Sequence, residues 1–235
     1  MSESTPSPFL PDGPLHNAGF LGFLHSPQGA ALKAGFRVRE HARGEALALP
    51  GGGRDEVFVL ESGRVRVHMS DGRRELTLMF LEPGDVFTTH TPAYLTTAAP
   101  VRLSAMPTRQ FAQHLREGGA PALVTVMQVL GRLLGHTIER LEDLAFRDVH
   151  QRLTRLLATL VRRQGQQLAQ GGWECPLPFS LTDLAGVLGT SRQSLSGAFA
   201  ELERAGLVQR QGRRLLRVPD LAALAQRAQA ETSTG

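Results

Sequence analysis

Arg192, Gln193, Ser194 and Ser196 carry the most legible chemistry in this 235-residue sequence. Arginine donates to guanine O6 and N7, and glutamine pairs with adenine N6 and N7. Serines at this spacing are short enough to reach a backbone phosphate or a base edge. Such residues read DNA only when a helix presents its first turn outwards, and the flanking sequence predicts that helix. Ser180 or Thr182 can cap a first helix running to about Leu188. Gly189 permits a left-handed turn. Thr190 or Ser191 can then cap a second helix, Arg192 to Ala205. This order is helix, tight turn, helix. After Gly206, LVQRQGRRLLRV reads as a two-stranded wing turning at Gln211-Gly212, with Arg210, Arg213, Arg214 and Arg217 placed to approach phosphates. The expected DNA-contacting set is Arg192, Gln193, Ser194, Ser196, Arg213 and Arg214. Between Ser180 and Arg217 six arginines face three acids, so most of the chain's net charge of +4 lies there. Lys33 is the only lysine, and an arginine bias of that kind fits genome composition as well as a polyanion partner. The plain competitor is a helical hairpin with a solvated basic face.

Enzyme chemistry is sparse. There is no Gly-x-Ser-x-Gly elbow, no phosphate-cradling loop and no clustered carboxylate pair. Eight histidines are scattered without a His-x-His pair, which weakens a cupin-like metal enzyme. The single cysteine, Cys175, excludes an intrachain disulfide framework and a cluster held by four thiolates of one chain. No apolar run reaches the roughly 20 residues of a membrane span. The first residues, MSESTPSPFLPDGPLHNAG, lack the basic and apolar regions of a secretory signal. The expectation is a cytoplasmic protein that is not an enzyme and has no membrane partner. The alternative of a different class is a β-barrel enzyme or scaffold whose helical tail binds protein.

The elements that must position these residues fall into an α+β order. From Phe36 to Phe111, short β-prone runs alternate with Ser-Gly, Asp-Gly and Pro-Gly turns, the signature of antiparallel hairpins in a double-sheet, jelly-roll-like β-roll. Thr108–Arg116 reads as a short helix. From Pro121 to Val149, Leu123, Met127, Leu130, Leu134, Thr137, Leu141 and Leu144 recur at alternating steps of four and three, the seam of a long helix pairing with its copy. Leu153, Leu156, Leu157, Leu160 and Val161 mark another helical face, and Gly165–Pro178 a polar connection. The domains expected are a flexible tail over 1–18, a β-roll sensor over 19–118, a dimerisation helix over 119–147, a winged helix-turn-helix over 148–219, and a C-terminal helix or tail over 220–235.

Roll, seam helix and winged helix-turn-helix, in that order, resemble the Crp/Fnr family of bacterial transcription regulators. Leu144-Ala145-Phe146-Arg147-Asp148-Val149 resembles the hinge between sensor and reader. Gly189-Thr190-Ser191-Arg192-Gln193-Ser194 resembles the recognition-helix entry, and Gly63 and Gly84-Asp85 the turns of the roll. The resemblance covers roughly residues 36 to 225. It implies a homodimer bound to a palindromic operator in double-stranded DNA, with RNA polymerase as a further partner, and a cyclic-nucleotide-binding-like sensor domain.

Cyclic-nucleotide-binding members clamp the phosphate with Gly-Glu and a nearby Arg-Ser or Arg-Thr. Here Gly84-Asp85 and Thr88 to Tyr94 supply neither the glutamate nor the arginine, so cAMP is not expected. An iron–sulfur cluster is not expected for want of cysteines. The haem-containing, carbon-monoxide-sensing members are the nearest in pattern. His41-Ala42-Arg43-Gly44 and Gly84-Asp85-Val86-Phe87-Thr88-Thr89-His90 resemble segments of theirs. The likeness implies haem b with His90 as an iron ligand, and Leu130, Gly131 and Leu134 beside the bound gas. It departs at Thr88, where the best-known form has a cysteine ligand, and at Ser2, where that form has an N-terminal proline. Another small-molecule or redox effector, or none, is the alternative. Gly197 stands where many members carry a second DNA-contacting arginine, and Gln193 where they carry glutamate.

Overall fold

The computed structural model describes residues 18–52, 55–72, 75–117, 119–177, 179–212 and 214–230. Most of the expected N-terminal tail, and Arg213 of the wing, lie outside them. The chain divides into two compact units, 1–70 with 77–138, and 71–76 with 139–235.

The first unit opens with helix α1 (Ala18–His25), a 3-10 turn (Pro27–Gly29) and helix α2 (Ala30–Ala34). Eight strands follow: β1 (Arg37–His41), β2 (Ala46–Ala48), β3 (Glu56–Ser62), β4 (Val65–Ser70), β5 (Glu75–Leu81), β6 (Val86–Thr88), β7 (Tyr94–Thr97) and β8 (Val101–Pro107). They form two sheets, ordered β1-β8-β3-β6 and β2-β7-β4-β5. Between β3 and β4 the chain turns at Gly63, where φ is +87° and a Cβ would stand 2.1 Å from the Pro100 carbonyl oxygen. Only glycine satisfies both conditions. The runs 57–60 and 75–81 read from sequence thus lie on β3 and β5, and the run 64–69 lies on β4 except for Arg64, which precedes the strand.

Helices α3 (Thr108–Glu117) and α4 (Gly119–Phe146) complete the roll. Val126, Val129 and Leu133 of α4 join Val57, Val59, Val67, Leu81 and Leu95 in one core, together with Phe20, Leu24 and Leu32 from the N-terminal helices. The opposite side of α4 leaves Leu123, Met127, Leu130, Leu134, Ile138 and Leu141 each about half exposed or more (48–60%). Thr137 and Leu144 of the expected seam are intermediate. A helix that buries one apolar face and exposes a second has apolar surface for more than one contact.

In the second unit, α5 (Val149–Gln164) starts at Asp148, whose carboxylate accepts the Gln151 N–H while the Gln151 side chain accepts the Asp148 N–H. That capping box ends the long helix at Phe146 and begins a new one. Leu153, Leu156, Leu157, Leu160 and Val161 are buried. The stretch after α5, read from sequence as a plain connection, contains β9 (Gln166–Gln167) and β10 (Trp173–Pro176). After α6 (Leu181–Leu188) and α7 (Arg192–Arg204) come β11 (Gln209–Gln211), β12 (Leu215–Val218) and α8 (Leu221–Ala230). The wing is therefore not a lone hairpin. It is half of a four-stranded sheet ordered β11-β12-β10-β9, with the buried Cys175 opposite Leu216.

Candidate DNA-reading face and effector cavity

The reading helix is built by local hydrogen bonds. Ser180 caps α6, its Oγ accepting the Asp183 N–H at 3.1 Å while the Asp183 carboxylate accepts the Ser180 hydroxyl at 2.7 Å. Gly189 takes the left-handed conformation, φ 61° and ψ 44°, and closes the helix. Of the two candidate caps for α7, Ser191 is the one used, accepting the Ser194 N–H at 3.0 Å. Leu195, Ala198, Phe199 and Leu202 face the core of this unit. Arg192, Gln193 and Ser194 are exposed in the first turn, and Ser196 is half-buried. The Ser194 hydroxyl lies 2.9 Å from the Ser191 hydroxyl, so it serves the cap as well as facing outwards. Gly197 is exposed, with nothing within 4 Å of where a Cβ would sit.

Of the wing arginines, Arg214 is exposed, Arg217 is half-buried on β12, and Arg213 is outside the described residues. Arg210 behaves differently from the phosphate-approaching role read from sequence. Its Nε and Nη2 donate to the two Glu203 carboxylate oxygens at 3.0 and 2.9 Å. Its guanidinium carbon lies 4.7 Å from the Phe199 ring centroid.

The roll holds a cavity of about 750 Å³, bounded by strand residues such as Val57, Val67, Met79, Val86 and Phe87, by Phe111 of α3, and by Val126, Leu130, Leu133, Leu134 and Thr137 of α4. His90 lies on its wall in the loop after β6. The fold therefore gathers His90, Leu130 and Leu134 around one space. Gly131 is placed differently: it is exposed, outside the described cavity lining, and a Cβ there would meet nothing within 4 Å.

The threonine hydroxyls of this wall and one Asp55 carboxylate oxygen are hydrogen-bonded from within. Thr108 Oγ1 donates to Asp55 Oδ1 at 2.6 Å, and Thr137 Oγ1 donates to the Leu133 carbonyl at 2.9 Å. Thr91 Oγ1 donates to the Thr88 carbonyl at 3.1 Å, and Thr88 Oγ1 accepts the His90 N–H at 3.2 Å. The last two bonds brace the loop that carries the imidazole. Among the described lining residues there is no arginine or lysine, and His90 is the one imidazole. Asp85, at the position of the cyclic-nucleotide clamp, is outside the described lining and uses its carboxylate to accept the Glu82 N–H of its own turn at 2.8 Å. Sequence reading missed Asp55, Thr108 and Phe111, which line the same cavity as His90. Their spacing in the chain carries no signal, because only the closing of the roll brings them together. Among the described residues no group of three or more His, Cys, Asp or Glu side chains could hold a metal ion, and no helix is long and apolar enough to cross a membrane.

Residues 151–227 match the Crp-like helix-turn-helix domain. The chain is similar to a CRP-like cAMP-activated global transcriptional regulator of Mycobacterium tuberculosis, 27% identical over 222 residues that cover 91% of this chain and 98% of the relative. It is also similar to the solved structure of a CooA mutant from Carboxydothermus hydrogenoformans, at 30% identity and a TM-score of 0.76, covering 89% of this chain and 95% of that one. The reduced CO-sensing protein of R. rubrum matches at 28% identity and a TM-score of 0.51, covering 88% and 96%. With helix-turn-helix and β-roll both in place and one relative at this identity matched over nearly its whole length, the chain belongs to the Crp/Fnr family of transcription regulators.

Proposed function

We propose that this regulator works as a homodimer that reads a palindromic operator through Arg192, Gln193 and Arg214, and that haem b, whose macrocycle is largely apolar, occupies the cavity with His90 as its protein ligand. One observation carries the effector reading: the wall offers a single imidazole in an otherwise apolar surface whose hydroxyls and carboxylate are already hydrogen-bonded. A cyclic nucleotide brings a phosphate that needs a charged or donating partner when taken out of water. The described wall has no cation for it. Haem places a different demand: its macrocycle needs apolar walls and its iron a nitrogen donor, while its two propionates can stay in water. The volume lies within the roughly 300–1,000 Å³ of ordinary ligand pockets.

When bound, haem supplies an iron at which a neutral diatomic gas can bind. The protein's own residues do the rest. Thr88 and Thr91 hold the His90 loop, which fixes where the imidazole sits. Leu130 and Leu134 present apolar surface to the effector from α4, the helix whose exposed stripe pairs with its copy. A dimer formed along that stripe must present its two reading heads about 34 Å apart, one turn of DNA, to read a palindrome. An effector shifts DNA affinity only by as much as it prefers the DNA-competent state.

The test titrates haem into apo-protein, wild type and His90→Ala, followed by CO addition to the reduced form while operator affinity is measured. Wild type should develop a Soret band that His90→Ala changes or loses. No haem uptake, or an identical spectrum in His90→Ala, refutes the assignment to His90. Haem uptake with DNA affinity indifferent to CO would keep the cofactor and reject the gas as its signal.

A further inference from the structure

We infer that Arg210 is a positioning residue of the DNA reader: it fastens the first strand of the wing to the recognition helix, so that Arg214 meets the DNA backbone, and it does not itself hold phosphate. The inference rests on the DNA-reading role proposed above. Four contacts carry it. The Arg210 Nε and Nη2 donate side by side to the two oxygens of Glu203, at 3.0 and 2.9 Å. The Arg210 backbone N–H donates to the same carboxylate at 3.2 Å. The guanidinium lies over the Phe199 ring at 4.7 Å. Phe199 is fully buried in the packed side of α7.

A planar guanidinium held by a bidentate carboxylate on one edge and an aromatic face below has little orientational freedom left. Both holding residues belong to α7, and Arg210 belongs to β11. The contact therefore crosses the turn at Gly206 and ties two elements that must meet DNA in register. Without it, β11 is held by its pairing with β12, Gln209 opposite Arg217 to Gln211 opposite Leu215. That ladder keeps the hairpin intact but does not itself bind it to α7. Strand β12 is itself anchored to β10, Trp173 opposite Val218 to Pro176 opposite Leu215, and the Leu177 N–H donates to the Arg214 carbonyl at 2.8 Å, so what the Arg210 contact steadies is the edge strand β11 and the Gly212 turn that leads into Arg214.

This arrangement inverts an electrostatic expectation. If Arg210 were a phosphate contact, Glu203 would compete with DNA for it. Removing that acid would then tighten binding and steepen its salt dependence. If Arg210 is the fastener, removing Glu203 releases the wing and binding weakens.

The experiment uses the full-length protein and a duplex enriched by wild type from random sequence. Binding is measured against KCl concentration for wild type, Glu203→Gln, Arg210→Gln, Arg214→Ala and the double variant Arg210→Gln with Arg214→Ala. Glu203→Gln and Arg210→Gln should each weaken binding several-fold, to similar extents. Arg214→Ala should lower the salt slope by about 0.9, one phosphate contact, in wild type. In the Arg210→Gln background it should cost little more. Arg210→Lys keeps the charge but loses the fork and the stacking, and should behave like Arg210→Gln. Tighter binding by Glu203→Gln, or full rescue by Arg210→Lys, would overturn the inference while leaving the DNA-reading role intact. Independent, additive losses from Arg210→Gln and Arg214→Ala would overturn it as well. Failure of wild type to enrich any duplex would overturn the DNA reading itself, and this inference with it. Circular dichroism melts on each variant separate a loosened wing from an unfolded unit, and a variant that melts far below wild type is replaced by Arg210→Lys in the comparison.

Discussion

In the dimer proposed above, a charge placed on the exposed stripe of α4 should separate the two chains. Leu134 is 60% exposed in the single chain. Full burial of a leucine is worth about 1.5–3 kcal/mol, so covering what remains returns about 1–2 kcal/mol per chain, and about 2–4 kcal/mol over both copies. Leu134→Glu forfeits that gain and asks two carboxylates to enter the seam. An unpaired buried charge adds about 3–5 kcal/mol. At 1.4 kcal/mol per factor of ten, the dimer should weaken by at least about a thousandfold. Sedimentation equilibrium at micromolar protein should then show monomer. Leu134 also lines the effector cavity, so the variant needs a companion that does not. Leu123→Glu serves: Leu123 is 52% exposed on the same helix and outside the described cavity lining. Dissociation of both variants supports the seam. If both stay tightly dimeric, the stripe is not the dimer contact and the reasoning from its exposure is wrong.

Arg192→Ala should cost about 1–3 kcal/mol on the specific site and relax the preference for one base pair, measured by competition between operator variants; equal loss on every sequence would make Arg192 a phosphate contact only. Gly189→Ala forces a Cβ into the left-handed region, at about 1–2 kcal/mol, and sets it 2.8 Å from Leu144 Cδ2, so a denaturant midpoint clearly below that of wild type is expected. Gly197→Ala, which meets open space on the same helix, should be neutral or slightly stabilising in the same assay. The Arg210 hydrogen bonds hold the Glu203 carboxyl below its ordinary value of 4.5. A depressed carboxylate contributes stability above its unfolded value and loses it as pH falls through the folded one. The stability gap between wild type and Glu203→Gln should therefore be constant near neutrality and shrink below about pH 4.5. A gap that widened in acid would refute the pairing.

What the sequence determined was whatever local chemistry determines. The helix-turn-helix was legible because its signals act within four residues: Ser180 with Asp183, Gly189 in its left-handed turn, Ser191 with the Ser194 N–H. The β3, β4 and β5 runs were legible for the same reason, since glycine-containing turns bound them. The α4 stripe followed from helical period alone, because exposure on one face is a property of a single helix. Tertiary structure decided the rest. Residues 173–176 read as loop because nothing in their own composition says strand; they become β10 only by pairing with β12. Phe20, Leu24 and Leu32 enter the roll's core from a segment with no strand pattern. Arg210 looked like a phosphate contact by its charge, and only the return of the chain past α7 brings it onto Glu203 and Phe199. The surroundings of His90 were least legible of all. Asp55, Phe111 and Leu134 are far apart in sequence, and their meeting with His90 around one cavity depends on two sheets and two helices closing together, a long-range burial of apolar surface that no short window of sequence encodes.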